Sequence, residues 1–257
     1  MVDFRSEGVP SRARGVATEI RHRSVTRMTD PAAHVLDNAP WHSLTGAHAE
    51  FAEGSGFARR YQPDVSVFSA LPDNSEAGWA DLADLVGPGA QAVLFQGDEV
   101  VPAEGWSVAF SGPGYQMVLD RELDDVPWPE GTRVLEASDV AEMTALVALT
   151  KPGPFQPRTF DLGGYLGVFD DGRLVAMAGQ RLRPPGHTEI SAVCTHPDAR
   201  GRGLAGELTL AVARRILARG EIPFLHVAGT NDNARRVYER IGFVTRRVVG
   251  FTALVAP

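Results

Sequence analysis

The 257-residue sequence predicts a mixed α/β protein, and three observations carry that expectation. Short runs rich in β-branched and aromatic residues recur along the chain, separated by Gly and Pro turns. In the second half these runs alternate with segments whose apolar residues fall at the helical period. A glycine-rich turn, Arg200-Gly201-Arg202-Gly203, joins one such run to one such helix. With 44% hydrophobic and 22% charged residues the chain has the material for a core, which excludes disorder throughout. Domains commonly span roughly 100–200 residues, so the length admits two units. The Asp- and Pro-rich stretch 120–131 places a boundary near residue 131.

Residues 1–27 show no sustained hydrophobic period, and Met28-Thr29-Asp30-Pro31 reads as a natural beginning. The first 27 residues are therefore expected to be a disordered tail or an over-extended start. In 28–131, Asp81 to Val86 reads as a helix stopped by Gly87-Pro88-Gly89. Strands are expected at 91–95, 106–110 and 115–119, the last two separated by a Gly112-Pro113-Gly114 turn. In 132–257, Asp139 with Glu142 three residues on is a helix-start signal, followed by the stripe Val140, Met143, Leu146 and Val147. Strands at 165–169 and 174–182 join through Asp171-Gly172, a tight-hairpin dipeptide. A strand at 188–195 leads to the glycine turn and to a helix over 204–219, whose late Arg residues and Gly220 suit a C-terminus. Strand 224–227, helix 234–241 closed by Gly242, and strand 243–255 complete the order.

Several classes are excluded by composition. The single cysteine, Cys194, cannot form an internal disulfide, which favours a reducing, cytoplasmic location, and it gives no zinc pattern with the seven scattered His. No metal is expected. No run approaches the roughly 18 apolar residues of a membrane helix, so no membrane partner is expected. The net charge of −7 is uneven: residues 1–27 carry +3, 28–199 carry −16 and 200–247 carry +6. A basic block in an acidic protein suggests a local anionic ligand, while the acidic remainder opposes nucleic-acid binding.

Between strand and helix lies Thr195-His196-Pro197-Asp198-Ala199-Arg200-Gly201-Arg202-Gly203-Leu204-Ala205. Glycines here let successive backbone N–H groups converge, and the helix start adds positive potential, a geometry that binds pyrophosphate. No Gly-Lys-Ser or Gly-Lys-Thr follows, so this is not a Walker loop, and the glycine spacing is not that of a dinucleotide fold. Arg200, Gly203 and Ala205 match the Arg/Gln-x-x-Gly-x-Gly/Ala signature, and Asn231, Ala234, Tyr238, Gly242 and Phe243 match a second signature downstream. In both, the sequence resembles the GNAT superfamily of acetyl-CoA-dependent N-acetyltransferases, over about residues 132–257 and within a bacterial subgroup with an extended N-terminal half.

The resemblance implies a C-terminal GNAT fold at 132–257, acetyl-CoA as cosubstrate, and direct transfer of an acetyl or another short acyl group to a primary amine without an acyl-enzyme. It implies that amides of Arg200, Gly201, Arg202, Gly203, Leu204 and Ala205 hold the pyrophosphate. Val193, Cys194 and Thr195 would offer main-chain contacts, with an amide near Val193 at the thioester oxygen, and Asn231 would contact the cofactor. Tyr238 is implied as general acid, and Glu189, four residues before Val193, as general base with a raised pKa, acting directly or through water; its rival reading is a substrate-amine anchor or a cross-strand ion pair. His226 is another candidate base. Cys194 is expected to be a small buried hydrophobe. The loop from Lys151 to Arg158 is placed at the acceptor wall. Residues 28–131 contain no second glycine loop and are expected to be a degenerate GNAT-like domain that extends the sheet and shapes the acceptor pocket. A small-molecule amine or peptide is the expected acceptor and the assembly a monomer or homodimer. A non-catalytic acyl-CoA-binding or sensing module is the competing class, which Tyr238 and Glu189 disfavour.

Overall fold

The structure is a computed structural model in which residues 34–97, 100–124 and 127–257 are described. The expected tail at 1–27, the Met28 start and part of the 120–131 linker lie outside these residues. The described residues all fall within one compact unit.

In chain order the elements are α1 (Ala39–Leu44), β1 (Ala52–Glu53), β2 (Arg59–Tyr61), β3 (Phe68–Ala70), α2 (Glu76–Val86), β4 (Gln91–Gln96) and β5 (Ser107–Leu119). There follow β6 (Thr132–Val134), α3 (Val140–Thr150), β7 (Leu166–Asp170), β8 (Arg173–Gln180), β9 (His187–Thr195), α4 (Leu204–Leu217), β10 (Ile222–Ala228), α5 (Asp232–Arg240) and β11 (Phe243–Val255). Among the described residues, eleven strands form one sheet in the order β1-β2-β3-β4-β11-β5-β10-β9-β8-β7-β6. Mixed α/β architecture is thus what the sequence predicted.

The sheet repeats a pattern. β1, β2 and β3 pair antiparallel, and β4 lies parallel to β3 after the α2 crossover. β7, β8 and β9 likewise pair antiparallel, and β10 lies parallel to β9 after the α4 crossover. The strand that ends each series is exchanged: β5 runs beside β10, and β11 beside β4. β5 and β11 pair with each other down the middle. The sheet therefore continues unbroken across the sequence boundary drawn near residue 131, because a strand from before it lies between two strands from after it.

Local chemistry explains most elements. Ser75 caps α2 by accepting from the Gly78 N–H at 3.3 Å, which starts that helix five residues earlier than its apolar run suggests. Asp171 and Gly172 both take positive φ, 49° and 76°, as a two-residue hairpin turn of the favoured hand requires. α4 buries Leu204, Leu208, Ala211, Val212 and Ile216 against the sheet, fixing the glycine turn at its N-terminus in place. Burying a large aliphatic side chain contributes about 1.5–3 kcal/mol each, so this face is a strong anchor.

Two local expectations are corrected. Residues 106–110 and 115–119 are not two strands around a turn, since β5 runs through Gly112-Pro113-Gly114. Pro113 is tolerated because the β10 ladder begins only at Gly114, while its carbonyl accepts from the Gly229 N–H at 2.9 Å. Asp139 does not cap α3 forwards. Its carboxylate turns back to the Arg133 guanidinium, with two contacts of 2.7 Å, and to the Glu136 N–H at 2.8 Å.

Candidate active site

β9 and β10 are parallel neighbours only as far as Ile190 opposite Leu225. Beyond that point β9 turns away while β10 stays paired with β5 up to Ala228 opposite Gly114. Ala192, at φ +53°, forms the bend, and neither Ala192 nor Val193 has a partner in the register with β8 or β10. A non-glycine residue in this region costs about 1–3 kcal/mol, and such strain collects at functional sites. The opening between the strands is the mouth of a cavity of about 1130 Å³.

At one end of this cavity is the glycine turn. Gly201 and Gly203 have φ of +79° and +82°, with Gly203 at the N-cap of α4. Such angles suit glycine alone without strain. The N–H groups of residues 201 to 205 make no hydrogen bond to the described residues. A helix start leaves its first amides without intrahelical partners, and their dipoles favour an anion. Thr195 adds a buried hydroxyl on the cavity wall with no partner among the described residues. An anion with several acceptor oxygens, such as a pyrophosphate, fits this donor set.

Of the residues singled out from the sequence, Val193, Cys194, Thr195, Arg200, Gly201, Gly203, Leu204, Ala205, Asn231 and Tyr238 line the cavity. Arg202 does not; its guanidinium pairs with Asp170 at 2.6 Å. Asn231 accepts from the Ala234 N–H at 3.1 Å and so caps α5. Cys194 is buried, and desolvation pushes its thiol up to about 11, which leaves it protonated and a poor nucleophile. Tyr238 is buried, its phenol is pushed up to about 12 by desolvation, and its hydroxyl has no hydrogen-bond partner among the described residues.

Glu189 is placed differently from expectation. It is fully buried, lies behind the cavity wall, and is held by three partners. Arg181 binds it in a fork, Nε to Oε2 at 2.9 Å and Nη2 to Oε1 at 2.6 Å; the Leu182 N–H donates to Oε2 at 3.2 Å; His226 Nδ1 meets Oε1 at 2.7 Å. Burial alone would raise its pKa, but the Arg181 charge and these hydrogen bonds outweigh it and hold the carboxyl down at about 2. The raised pKa expected for a base is therefore corrected. His226, which does line the cavity, is kept neutral chiefly by desolvation. Its Nδ1–H donates to Glu189, and its Nε2 lies 3.0 Å from the Gln116 amide nitrogen, which donates to it.

The basic block is mostly committed elsewhere. Arg219 pairs with Glu221, Arg235 with Asp232, Arg246 with Asp37, and Arg214 donates to the Asp124 carbonyl. Arg200 and Arg240 are the two of its ten arginines that line the cavity. Of the Lys151 to Arg158 loop, Lys151 to Pro154 line it, whereas Arg158 turns to Asp161 and Asp64. Sequence reasoning missed the far lobe, built from Phe68, Phe95, Phe110, Arg181 and Phe251. No local pattern marks these residues, which meet only through the sheet. Among the described residues, no three His, Cys, Asp or Glu side chains cluster as metal ligands, and no helix is long and apolar enough to cross a membrane.

Parallel strands that part beside an anion-binding helix start are the framework of an acyl-coenzyme A-dependent transferase. A model of the FR47-like protein family matches residues 165–251. The solved structure of a GNAT-family protein from Novosphingobium aromaticivorans is 39% identical, with a TM-score of 0.81 over 88% of this chain and 100% of that one. The chain belongs to the GNAT family of acetyltransferases. A GCN5-related N-acetyltransferase from Kribbella flavida, 18% identical with a TM-score of 0.58 over 86% of this chain and 95% of that one, shares the fold. Mycothiol acetyltransferases of Acidimicrobium ferrooxidans and Rhodococcus jostii are each 37% identical, over 91 and 93 residues. These matches cover 33% of this chain, and the chain spans about 30% of the length of those curated relatives.

Proposed function

We propose that the protein transfers an acetyl group from acetyl-CoA to the primary amine of a small molecule or peptide by direct attack in a ternary complex. The observation that carries this reading is the row of amides from 201 to 205 without acceptors among the described residues, set where β9 and β10 part. Acetyl-CoA, when bound, supplies the electrophilic thioester. Amides of the Gly201 to Ala205 turn hold its pyrophosphate, and the unpaired bend at Ala192 and Val193 presents main-chain groups to the acyl arm. The Val193 N–H donates towards the thioester oxygen, where negative charge develops.

Tyr238 stands ready at the departing sulfur. A thiol near pKa ~8.5 cannot take a proton outright from a phenol near 12 without an uphill step. The hydroxyl therefore stabilises the thiolate by hydrogen bonding and relays to it the proton released by the amine. Glu189 orients Arg181 and His226 and does not meet the amine; with His226 Nε2 engaged by Gln116, the amine loses its first proton to water in the cavity.

The first half supports the same reading as a degenerate copy of the fold. Its strand order and crossover match those of the second half, whereas its crossover helix α2 is entered through Asp73-Asn74-Ser75 in place of a glycine cradle. Calorimetric titration with acetyl-CoA, followed by CoA release on a panel of amines, tests the proposal. Binding with release supports it; binding without release on any amine would favour the sensing module.

A further inference from the structure

The far lobe of the cavity has a chemistry of its own. Phe68 stacks on Phe95 with ring centroids 5.7 Å apart, and both meet Phe251 edge-on at 6.1 and 5.7 Å. Phe110 extends this wall, 6.2 Å from Phe251. The Arg181 guanidinium lies over the Phe68 ring at 4.9 Å, and His226 packs on Phe95 at 4.1 Å. All six side chains belong to residues that line the cavity. Among the described residues the single acid in that lining, Glu207, sits in the first turn of α4, at the glycine-turn end.

Arg181 is unusual here. Its side chain is 12% exposed, and it spends Nε and Nη2 on Glu189. Its Nη1 has no hydrogen-bond partner among the described residues. Glu189 and the Phe68 ring fix the guanidinium plane, so a planar donor face is held ready at the wall without further ordering cost. A cationic or polyamine acceptor would find no free carboxylate in this lobe, since Glu189 lies outside the lining and is spent on Arg181, the Leu182 N–H and His226. A carboxylate would be met by a charge-assisted hydrogen bond.

We propose that the acceptor is a primary amine that also carries a carboxylate and an aromatic or branched aliphatic group, the chemistry of a hydrophobic amino acid, with its carboxylate on Arg181 and its apolar group against the four phenylalanines. This inference rests on the transferase reading above and names the substrate class of the same site.

The test compares phenylalanine, phenylalaninamide, 2-phenylethylamine and spermidine, using the full chain. Two readouts are taken: CoA release with acetyl-CoA, and direct calorimetric binding to protein saturated with CoA. Loss of one hydrogen bond to a charged group lowers affinity or kcat/KM by about 10- to 100-fold. The expected result is that phenylalanine exceeds its amide and 2-phenylethylamine by that margin, with spermidine weakest. Arg181→Lys should erase most of the margin, and Phe110→Ala, at a position 57% exposed, should reduce binding of the aromatic acceptor with little effect on folding. Equal binding of phenylalanine and its amide, or preference for spermidine, would overturn the inference; CoA release on spermidine would still leave the transferase reading standing. Phenylalanine binding without CoA release would support the site while sinking the transferase reading.

Discussion

Replacing Glu189 by Gln separates its two possible roles, since the change removes the charge and keeps the shape. In the structure this carboxylate accepts from Arg181, the Leu182 N–H and His226 at once, with no exposed surface. Removing one member of a buried ion pair typically costs about 3–5 kcal/mol, because the other charge stays buried without its partner. With a urea m-value of about 2–3 kcal/mol/M, the unfolding midpoint should fall by about 1–2 M. The sign of the pH dependence follows from the depressed pKa. Glu189 titrates near 2 in the folded state against 4.5 when unperturbed, so its contribution is fully present above 4.5 and is lost as the pH falls towards 2. The gap between wild type and Glu189→Gln should therefore narrow through that window. Urea titrations at neutral pH and at several lower pH values, followed by circular dichroism, measure it. An unchanged midpoint together with a roughly 10²–10⁴-fold loss of turnover would mark Glu189 as a base and refute the reasoning.

Tyr238→Phe should lower turnover by about 10²-fold or more while leaving calorimetric acetyl-CoA affinity nearly unchanged; unchanged turnover would remove the tyrosine from the chemistry. Gly203→Ala forces a side chain into φ +82°, at a backbone cost of about 1–2 kcal/mol, and should weaken acetyl-CoA binding about tenfold. Affinity equal to wild type would mean that the turn does not hold the pyrophosphate. Thr195→Val removes a buried hydroxyl without a partner among the described residues, so stability should hold or rise by up to about 1 kcal/mol while acetyl-CoA affinity falls severalfold. A drop in stability with intact affinity would assign the hydroxyl to the fold. Residues 132–257 expressed alone lose β5 from between β10 and β11 and should aggregate or self-associate, as size-exclusion chromatography would report; a cooperatively folded monomer would contradict this.

What could be read from the sequence was what local chemistry determines. The turn at 201–203, the Asp171-Gly172 hairpin and the apolar face of α4 each depend on residues within a turn or two of one another, and the structure places each where its pattern says. β1 to β3, of two or three residues each, are too short to show a period. β5 was obscured by a Gly-Pro-Gly that reads as a turn wherever its neighbours are unknown. Glu189 was legible as a carboxylate near the acyl site, but its pKa is set by Arg181 and by His226, 37 residues on, and no spacing rule foretells that balance. The arginine block shows the same limit: the charge lies at the right place in sequence, yet most of its guanidiniums are drawn to Asp, Glu or carbonyl partners outside the cavity.

The exchanged strands explain why a first half without a glycine cradle stays part of the site. β5 is the partner that holds β10 straight after β9 has left it, so the parting of the strands depends on a segment encoded before residue 131. The same strand brings Gly112, Pro113 and Gly114 to the cavity wall. A Cβ added at Gly114 would approach the Val227 carbonyl oxygen to 3.3 Å, so the paired strands β5 and β10 run close together here. Phe68 and Phe95 come from β3 and β4, the pair that corresponds to β9 and β10 in the other half. On the proposed reading, where the second half opens its parallel pair to admit the coenzyme, the first half turns aromatic side chains of its own pair towards the acceptor. Coenzyme binding and acceptor selection are then divided between two copies of one architecture, joined by the strands they exchange.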